Sequence, residues 1–489
     1  MASLSTALNY AVAGLRVNSA QTAVISRNIS SASDPDYVRK IADLTRLPGG
    51  AISVSSYSRS ADLRLLDKLL QTTSGAAGKQ VSLDALAKLS ATIGDPESDG
   101  SLTALVAKLQ QGLQGYEADP ASITLGSEAY RRAADLAAGL NSASAAVQET
   151  RAQADQDMAA SVTRINSLLA QFKVANDAVV RGSGTASDLT DSLDQRDRIL
   201  KALAEETGVR TVTRANNDVA IYTDSGVTLF ETNAREVSFV PSAHLDATTA
   251  GNAVYVDGVK ITGIPSLMPS RSGKLQALAD IRDKTAVTYQ TQLDEVARGL
   301  IESFAEHDVT GSGQPDRAGL FTSASGSAVP ASGTVVAGLA ARLSTNALAD
   351  PARGGNVALI RDGGFNGAAY VSNASGAAGY QDRIAALISG LDTPRAFDPA
   401  AQLGATASLK AFSAAASGWV EDKRQAADAA LDFDSALKSR ANDALLRRTG
   451  VNIDDEMTAM LDLEKAYQAS SKVIAAIDGM LNALLEAVR

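Results

Sequence analysis

Histidines, acidic clusters, glycine-rich turns and reactive hydroxyls are where chemistry would have to sit in this chain, and each signal is thin. The only two histidines, His244 and His307, lack the H-x-x-x-H spacing that sets two imidazoles on one helix face around a metal, and both read as loop or surface residues. DPESDG (95–100) opens like a calcium loop with Asp95, Glu97 and Asp99. The position that should close it with a bidentate glutamate is Val106, so a solvated turn is expected. RGSGTAS (181–187) and GSGQPDRAG (311–319) contain G-x-G, yet neither follows a strand of a βαβ unit, so phosphate cradling is not implied. No G-x-S-x-G nucleophile elbow occurs. Asn28-Ile29-Ser30 and Asn373-Ala374-Ser375 match the glycosylation triplet at chance level. With no cysteine, disulfides and thiolate metal sites are excluded. The carboxylates of DQRD, Asp194 and Asp197, are expected to pair on a helix surface with Arg196 and Arg198, each pair contributing less than about 1 kcal/mol. No catalytic, cofactor-binding or metal-binding residue is assigned. The chain reads as a non-enzyme.

The rest of the sequence is built for packing. Its 489 residues suffice for three or four domains, and aromatic residues make up only 4%, which favours helices packed through small side chains. A net charge of −10 with interspersed signs disfavours nucleic acid and anionic membranes as partners. The opening MASLSTALNYAVAGLRVNSA lacks a basic stretch and an uninterrupted apolar core, so a cleaved secretory signal is not expected. No 18-residue apolar run predicts a transmembrane helix.

Hydrophobic periodicity supplies the elements. Leu4, Leu8, Ala11, Leu15, Asn18, Thr22, Ile25 and Ile29 form a heptad seam that ends at Ser33-Asp34-Pro35. A short strand is predicted at 51–58, and helices near 60–92, 100–115 and 125–180, the last carrying Met158, Val162, Ile165, Leu169 and Phe172. A helix through LTDSLDQRDRILKALAEET precedes the β-rich segments VRTVTR, DVAIYT, VTLFE and EVSFV. Asp257-Gly258 between AVYV and VKIT signals a hairpin. Helix returns at about 273–306, with Leu278, Ile281, Tyr289, Leu293, Val296, Leu300 and Phe304 on one side. Residues 308–400 are rich in Gly, Ser, Ala and Pro, with a short helix near 380–391. A long helical seam follows through Leu409, Phe412, Ala416, Trp419, Lys423, Ala426, Ala430, Phe433 and Leu437. Gly450 is expected to end it as a C′ residue, and Asn452 to cap a terminal helix whose first turn holds Asp454, Asp455 and Glu456.

That terminal helix is apolar on two sides. One seam runs through Ile453, Met457, Met460, Tyr467, Ile474, Leu481, Leu485 and Val488, and a second through Leu463, Ala466, Val473, Ile477, Met480 and Leu484. Two stripes need two sets of neighbours. The pattern allows either an intramolecular helical hairpin or ends that order when identical neighbours pack against them. The assembly residues selected are Leu4, Leu8, Leu15, Ile25 and Ile29 with Met457, Met460, Tyr467, Val473, Ile474, Ile477, Leu481, Leu484 and Leu485. The fold class is multidomain and mainly α, with inserted β-rich domains. Terminal helices (1–33 plus 452–489) adjoin a helical stem (34–207, 273–307 and 401–451), a β-rich insertion (208–272) and a second outer insertion (308–400).

These residues resemble known proteins. LDLEKAYQASSKVIAAIDGMLNALLE after GVNIDDE, and the opening SLSTALNYAVAGLRVNSAQTAVISRNISSASDPDYVRK, look like the ends of axial flagellar proteins. The interior is more selective. LTDSLDQRDRILKALAEETGVRTV before DVAIYTDSGVTLFE, and SGKLQALADIRDKTAVTYQTQLDEVARGLIESFAEHDVTG, resemble the hook-associated protein 1 (FlgK) family over about half the chain. This chain departs from the family in having Arg27-Asn28 for paired asparagines and Asp36-Tyr37 for glycine-tyrosine, so Asp36 could need a positive φ at some cost.

The resemblance implies an elongated flagellin-like architecture with paired N- and C-terminal helices and no enzymatic activity or cofactor. It also implies unfolded export by the flagellar type III apparatus without a cleaved signal, and a ring of identical subunits at the hook–filament junction outside the cell. The implied partners are copies of itself, hook protein, a FlgL-type junction protein and an export chaperone on the C-terminal helix. Alternatives are another axial protein (hook protein or FlgL-like), a soluble coiled-coil scaffold, or a hydrolase carried in 308–400.

Overall fold

The computed structural model describes residues 2–48, 50–93, 98–183, 187–263, 265–323 and 326–486. Helix α1 (Ala2–Ser30) is followed by an antiparallel hairpin of β1 (Lys40–Arg46) and β2 (Ile52–Arg59). Then come α2 (Leu63–Ile93), α3 (Leu102–Ala118), α4 (Ile123–Gly182) and α5 (Thr190–Glu206). β3 (Val209–Thr213), β4 (Val219–Thr223) and β5 (Thr228–Phe230) make one antiparallel sheet; β6 (Val237–Ser238), β7 (Tyr255–Val256) and β8 (Val259–Lys260) make another. α6 (Lys274–Asp280) passes through a π-helical turn at 281–285 into α7 (Ala286–Ser303). β9 (Phe321–Ser323) pairs with β10 (Leu343–Thr345), α8 (Ala358–Asp362) and α9 (Asp382–Asp392) follow, and β11 (Pro394–Ala396) pairs with β12 (Thr406–Ser408). The long α10 (Leu409–Thr449) and α11 (Ile453–Glu486) close the chain.

Helix α4 is the spine. Ser122 caps it by accepting a hydrogen bond from the Leu125 amide (3.3 Å). Its 60 residues span about 90 Å at 1.5 Å per residue. Two hydrophobic cores share it. The first gathers Leu136, Leu140 and Val147 of α4 with Leu109 and Leu113 of α3, Leu293 and Leu300 of α7, side chains from 318–401, and Phe412 of α10. The second gathers Met158, Ile165, Leu169 and Phe172 with Leu69 and Leu70 of α2, Leu203 of α5, Phe230 and Val256 of the sheets, and Leu445 of α10. The predicted seams Met158–Phe172 and Leu278–Phe304 are therefore buried along their lengths. Asp257 and Gly258 take φ of 49° and 79°, the left-handed pair that a two-residue hairpin turn requires.

Two elements depart from the sequence pattern. On α10 the predicted seam fails beyond Trp419, and Phe433 is 65% exposed. α10 lies antiparallel to α2, with Ser60 donating to the Arg448 carbonyl (2.9 Å) at one end and Gly75 against Asp434 midway. That close approach runs through Ala427, Asp434, Ala441 and Leu445, so small and polar residues face the neighbour and the bulky Phe433 is turned out. The second departure is α7, which is buried on every side. Its Asp294 accepts from the Gly338 and Ala340 amides (2.8 Å each), and burial pushes its carboxyl up to about 6. Arg298 holds Glu295 (2.9 Å) and Glu302 (2.6 Å), and Gln292 donates to the Ala401 carbonyl (2.9 Å). Residues 308–408 are thus held around α7 by polar contacts that hydrophobic periodicity does not register.

The β-rich insertion is pinned in a similar way. Arg151 and Arg282, both fully buried, reach the Asp246 and Asn252 carbonyls, and Arg282 also pairs with Asp155 and Asp283. Replacing Arg282 with alanine leaves Asp155 buried without its cation. The expected destabilisation is about 3–5 kcal/mol, read as a fall in the denaturant midpoint of the purified protein; an unchanged midpoint contradicts the pinning role.

Candidate assembly interface

α1 lies between the β1–β2 hairpin and α11. α1 and α11 run antiparallel, with Asn28 meeting Glu456 at one end and Gly14 opposite Ser470 further along. The hairpin covers another side of α1 and brings Gly50 beside the Tyr10 hydroxyl. On α1 the selected Ile25 is buried, and Leu4, Leu8, Leu15 and Ile29 are half-buried, with Val17 and Val24 completing the packed face.

On α11 the described side chains sort differently from the two predicted seams. Met460, Leu463, Ala466, Ile474, Ile477 and Leu481 form the packed stripe, and Ile477 alone is fully buried. Large apolar side chains stand exposed on both flanks. Ile453, Met457, Leu461, Tyr467 and Leu485 lie on one side and Val473 and Met480 on the other, each roughly half or more exposed. A helix repeating every 3.6 residues presents only a narrow stripe to one antiparallel partner, so each predicted seam contributes some residues to the contact and leaves others outside it. A groove of about 640 Å³ opens between Ser19, Thr22 and Ala23 of α1 and Met457, Leu461 and Tyr467 of α11. Val488 and the Leu484 side chain lie outside the described residues.

The base of this pair is held by polar contacts. Asn28 is buried; its amide donates to Glu456 Oε2 and to the Lys40 carbonyl (3.0 Å each), and its oxygen accepts from the Lys40 amide (3.0 Å) and the Tyr37 hydroxyl (2.9 Å). Arg39 Nε donates to Glu456 Oε1 at 2.5 Å, and the Arg39 amide donates to the Thr449 carbonyl at 2.8 Å. Burial pushes the Tyr37 phenol up to about 12. Asn452 caps α11 by accepting from the Asp454 amide (3.1 Å). Gly450 does not take the left-handed cap geometry expected of it, since its φ is −74°. It is needed for space: a Cβ there would sit 2.6 Å from the Leu446 carbonyl oxygen.

Ion pairs tie this base to α5. The fully buried Lys40 pairs with Asp191 and with Asp194 (3.6 Å), and Arg59 pairs with Asp194 (3.0 Å) and Asp197 (2.7 Å). The expected pairing of these carboxylates with Arg196 and Arg198 is not what forms. Arg196 instead reaches Asn176 (3.3 Å) and the Asn217 carbonyl (2.5 Å), and Arg198 turns to Asp34 (3.6 Å) and Asp36 (3.2 Å). Neighbours on a helix point to different sides, so both carboxylates of DQRD meet Arg59 while Arg196 and Arg198 turn to other elements. Asp36 needs no positive φ; its carboxylate also accepts from Lys201 (2.8 Å). Arg27 pairs with Asp188 (2.7 Å).

The sequence's chemical candidates are not brought together. His244 and His307 are surface residues, and His307 Nδ1 lies 2.8 Å from Asp316. Asp95, Glu97 and residues 184–186 lie outside the described residues, and Asp99 pairs with Lys108 (3.1 Å). Among the described residues, no group of three or more His, Asp or Glu is arranged to hold a metal, and no helix is long and apolar enough to cross a membrane.

Comparison with known proteins finds the following similarities. Residues 86–320 match the family model for the flagellar hook-associated protein FlgK helical domain. The chain is 24% identical over 319 residues to flagellar hook-associated protein 1 of Salmonella typhimurium, covering 62% of this chain and 57% of the relative. It is 23% identical over 320 residues to the Escherichia coli protein of the same name, covering 62% and 56%. Over these residues the chain is similar to the flagellar hook-associated protein 1 family. The match spans a little over half the length of these relatives. A second family model, the C-terminal region of the flagellar basal body rod FlgEFG proteins, matches residues 444–487, which hold the end of α10, the Gly450 joint and α11. Similarity extends to the solved hook junction protein FlgK of Burkholderia pseudomallei at 20% identity and a TM-score of 0.43, over 53% of this chain and 46% of that one.

The base is sensitive to acid. Burial raises Asp36, but Lys201 and Arg198 outweigh it and hold the carboxyl below its usual value; Asp188 is likewise lowered, burial being outweighed by Thr190 and Arg27. A folded-state value below the unfolded one contributes stability that is complete above the unfolded value, about 4, and lost as pH falls through the folded value. Hydrogen exchange in residues 27–40 is therefore expected to accelerate as pH falls below about 4, after correction for intrinsic rates. Unchanged protection down to the global acid transition contradicts this.

Proposed function

We propose that the chain is a structural, non-catalytic component of the bacterial flagellar axis. In this reading it polymerises as an adaptor ring at the hook–filament junction through α1 and α11. The supporting observation is the exposed apolar surface on both flanks of α11, which α1 leaves uncovered. Each large side chain moved from water into a packed contact contributes about 1.5–3 kcal/mol at most, so several such residues per subunit give identical neighbours a strong reason to pack there. The partners are further copies of the chain, hook protein on one axial side and a FlgL-type protein on the other. An export chaperone would shield the same C-terminal helix before assembly. The chain would travel unfolded through the type III apparatus. In the ring, 1–33 and 452–489 form the inner tube, 34–207 with 273–307 and 401–451 the stem, and 208–272 and 308–400 the outer insertions.

Val473→Asp and Met480→Asp test this reading, because both positions are exposed in the monomer. Each is expected to change monomer stability by no more than about 0.5 kcal/mol. Secretion should continue while incorporation into the hook end and swimming are lost. Ile477→Asp, facing α1, should lower protection of the terminal pair in the monomer itself. Normal swimming with both exposed-face variants would contradict the proposal.

A further inference from the structure

The first turn of α11 carries three carboxylates, and only one is buried. Asp454 and Asp455 are exposed, while Glu456 is completely enclosed. Negative charge at a helix N-terminus is favourable in general, and the two aspartates already supply it from solvent. Helix-dipole compensation therefore gives no reason to bury the third. Its contacts do. One oxygen accepts from Asn28 at the end of α1, and the other from Arg39 just before β1.

Apart from these bonds and its packing along α1, α11 connects to the body through Gly450-Val451-Asn452, a three-residue joint about which the α1–α11 pair could otherwise swing. An apolar contact at that point would be non-directional. Two charge-assisted hydrogen bonds from different elements constrain both the rotation of α11 about its axis and its angle to the hairpin. Asn28 cannot follow a displaced Glu456, because its remaining bonds to Lys40 and Tyr37 hold it in place.

We propose that Glu456 is a positioning residue for assembly: it sets the direction in which the α1–α11 pair leaves the body, so the pair meets neighbouring subunits at a fixed angle. This rests on the assembly reading above. Residues 24–30 and 453–460 then belong to the folded body, and the response to neighbours is confined to the distal parts of α1 and α11.

The absence of cysteine in the chain makes the angle directly measurable. Ala436→Cys on α10 and Ala475→Cys on α11, both exposed, accept a pair of spin labels on the full-length monomer. The background with Glu456 intact should give one narrow interspin distance distribution. Glu456→Gln should raise the displaced population about tenfold, the change expected for one lost hydrogen bond to a charged group, and Glu456→Ala should raise it further. Arg39→Met removes the bond on the solvent side and should broaden the distribution in the same direction, which keeps the test decisive if the alanine variant folds poorly. Unlabelled Glu456→Gln should be secreted normally yet incorporate about tenfold less. A narrow distribution in both Glu456→Gln and Arg39→Met overturns the proposal. A broad one with normal incorporation also overturns it while leaving the assembly reading standing, since that reading fails only if the exposed-face variants at Val473 and Met480 swim normally.

Discussion

A helix with more apolar surface than one neighbour can cover leaves the remainder in water, and α11 is such a helix. Its contact with α1 takes a single stripe centred on Leu463, Ile474, Ile477 and Leu481. Met457, Tyr467, Val473, Met480 and Leu485 remain in water on either side. The β1–β2 hairpin cannot relieve this, because it packs on α1. The rest of the molecule can be understood as the means of holding this incomplete pair in place.

Holding it is the work of polar groups, and the contrast with the two hydrophobic cores is physical. Burial of Leu, Phe and Met along α4 stabilises the body without fixing any one direction. The base of the terminal pair uses Asn28, Glu456, Lys40 and Arg59, whose bonds have defined lengths and angles. Taking charges out of water is costly unless each finds a partner. Here Lys40 and Arg59 meet Asp191, Asp194 and Asp197, so the buried charge is compensated within one cluster. Such a cluster gains little over an apolar core in stability, but it admits few alternative geometries.

What could be read from the sequence follows from the range of each interaction. Local periodicity exposed the spine of α4 through Met158, Val162, Ile165, Leu169 and Phe172, and local turn chemistry placed the hairpin at Asp257-Gly258. Apolar periodicity on the terminal helix marked two stripes, though not which residues of each α1 would cover. Phe433 misled, because whether a helix face is buried depends on how closely α2 approaches, and Gly75, Ala427 and Ala441 set that distance. The base was illegible for a simpler reason. Asn28 and Glu456 are 428 residues apart, and nothing local marks them as partners. The segment 308–408 was obscure because its buried apolar side chains follow no one helical or strand period, and carboxylates and amides around α7 also hold it in place.

The central claim is that the exposed flank of α11 becomes covered when copies of the chain assemble. The most direct measurement is the maleimide labelling rate of Met480→Cys, the sole thiol in the chain, compared between the secreted monomer and the protein incorporated at hook ends. The account predicts rapid labelling of the monomer and strong protection after incorporation, with a control cysteine at Ala436 labelling equally in both states. Equal rates at position 480 before and after incorporation would contradict it.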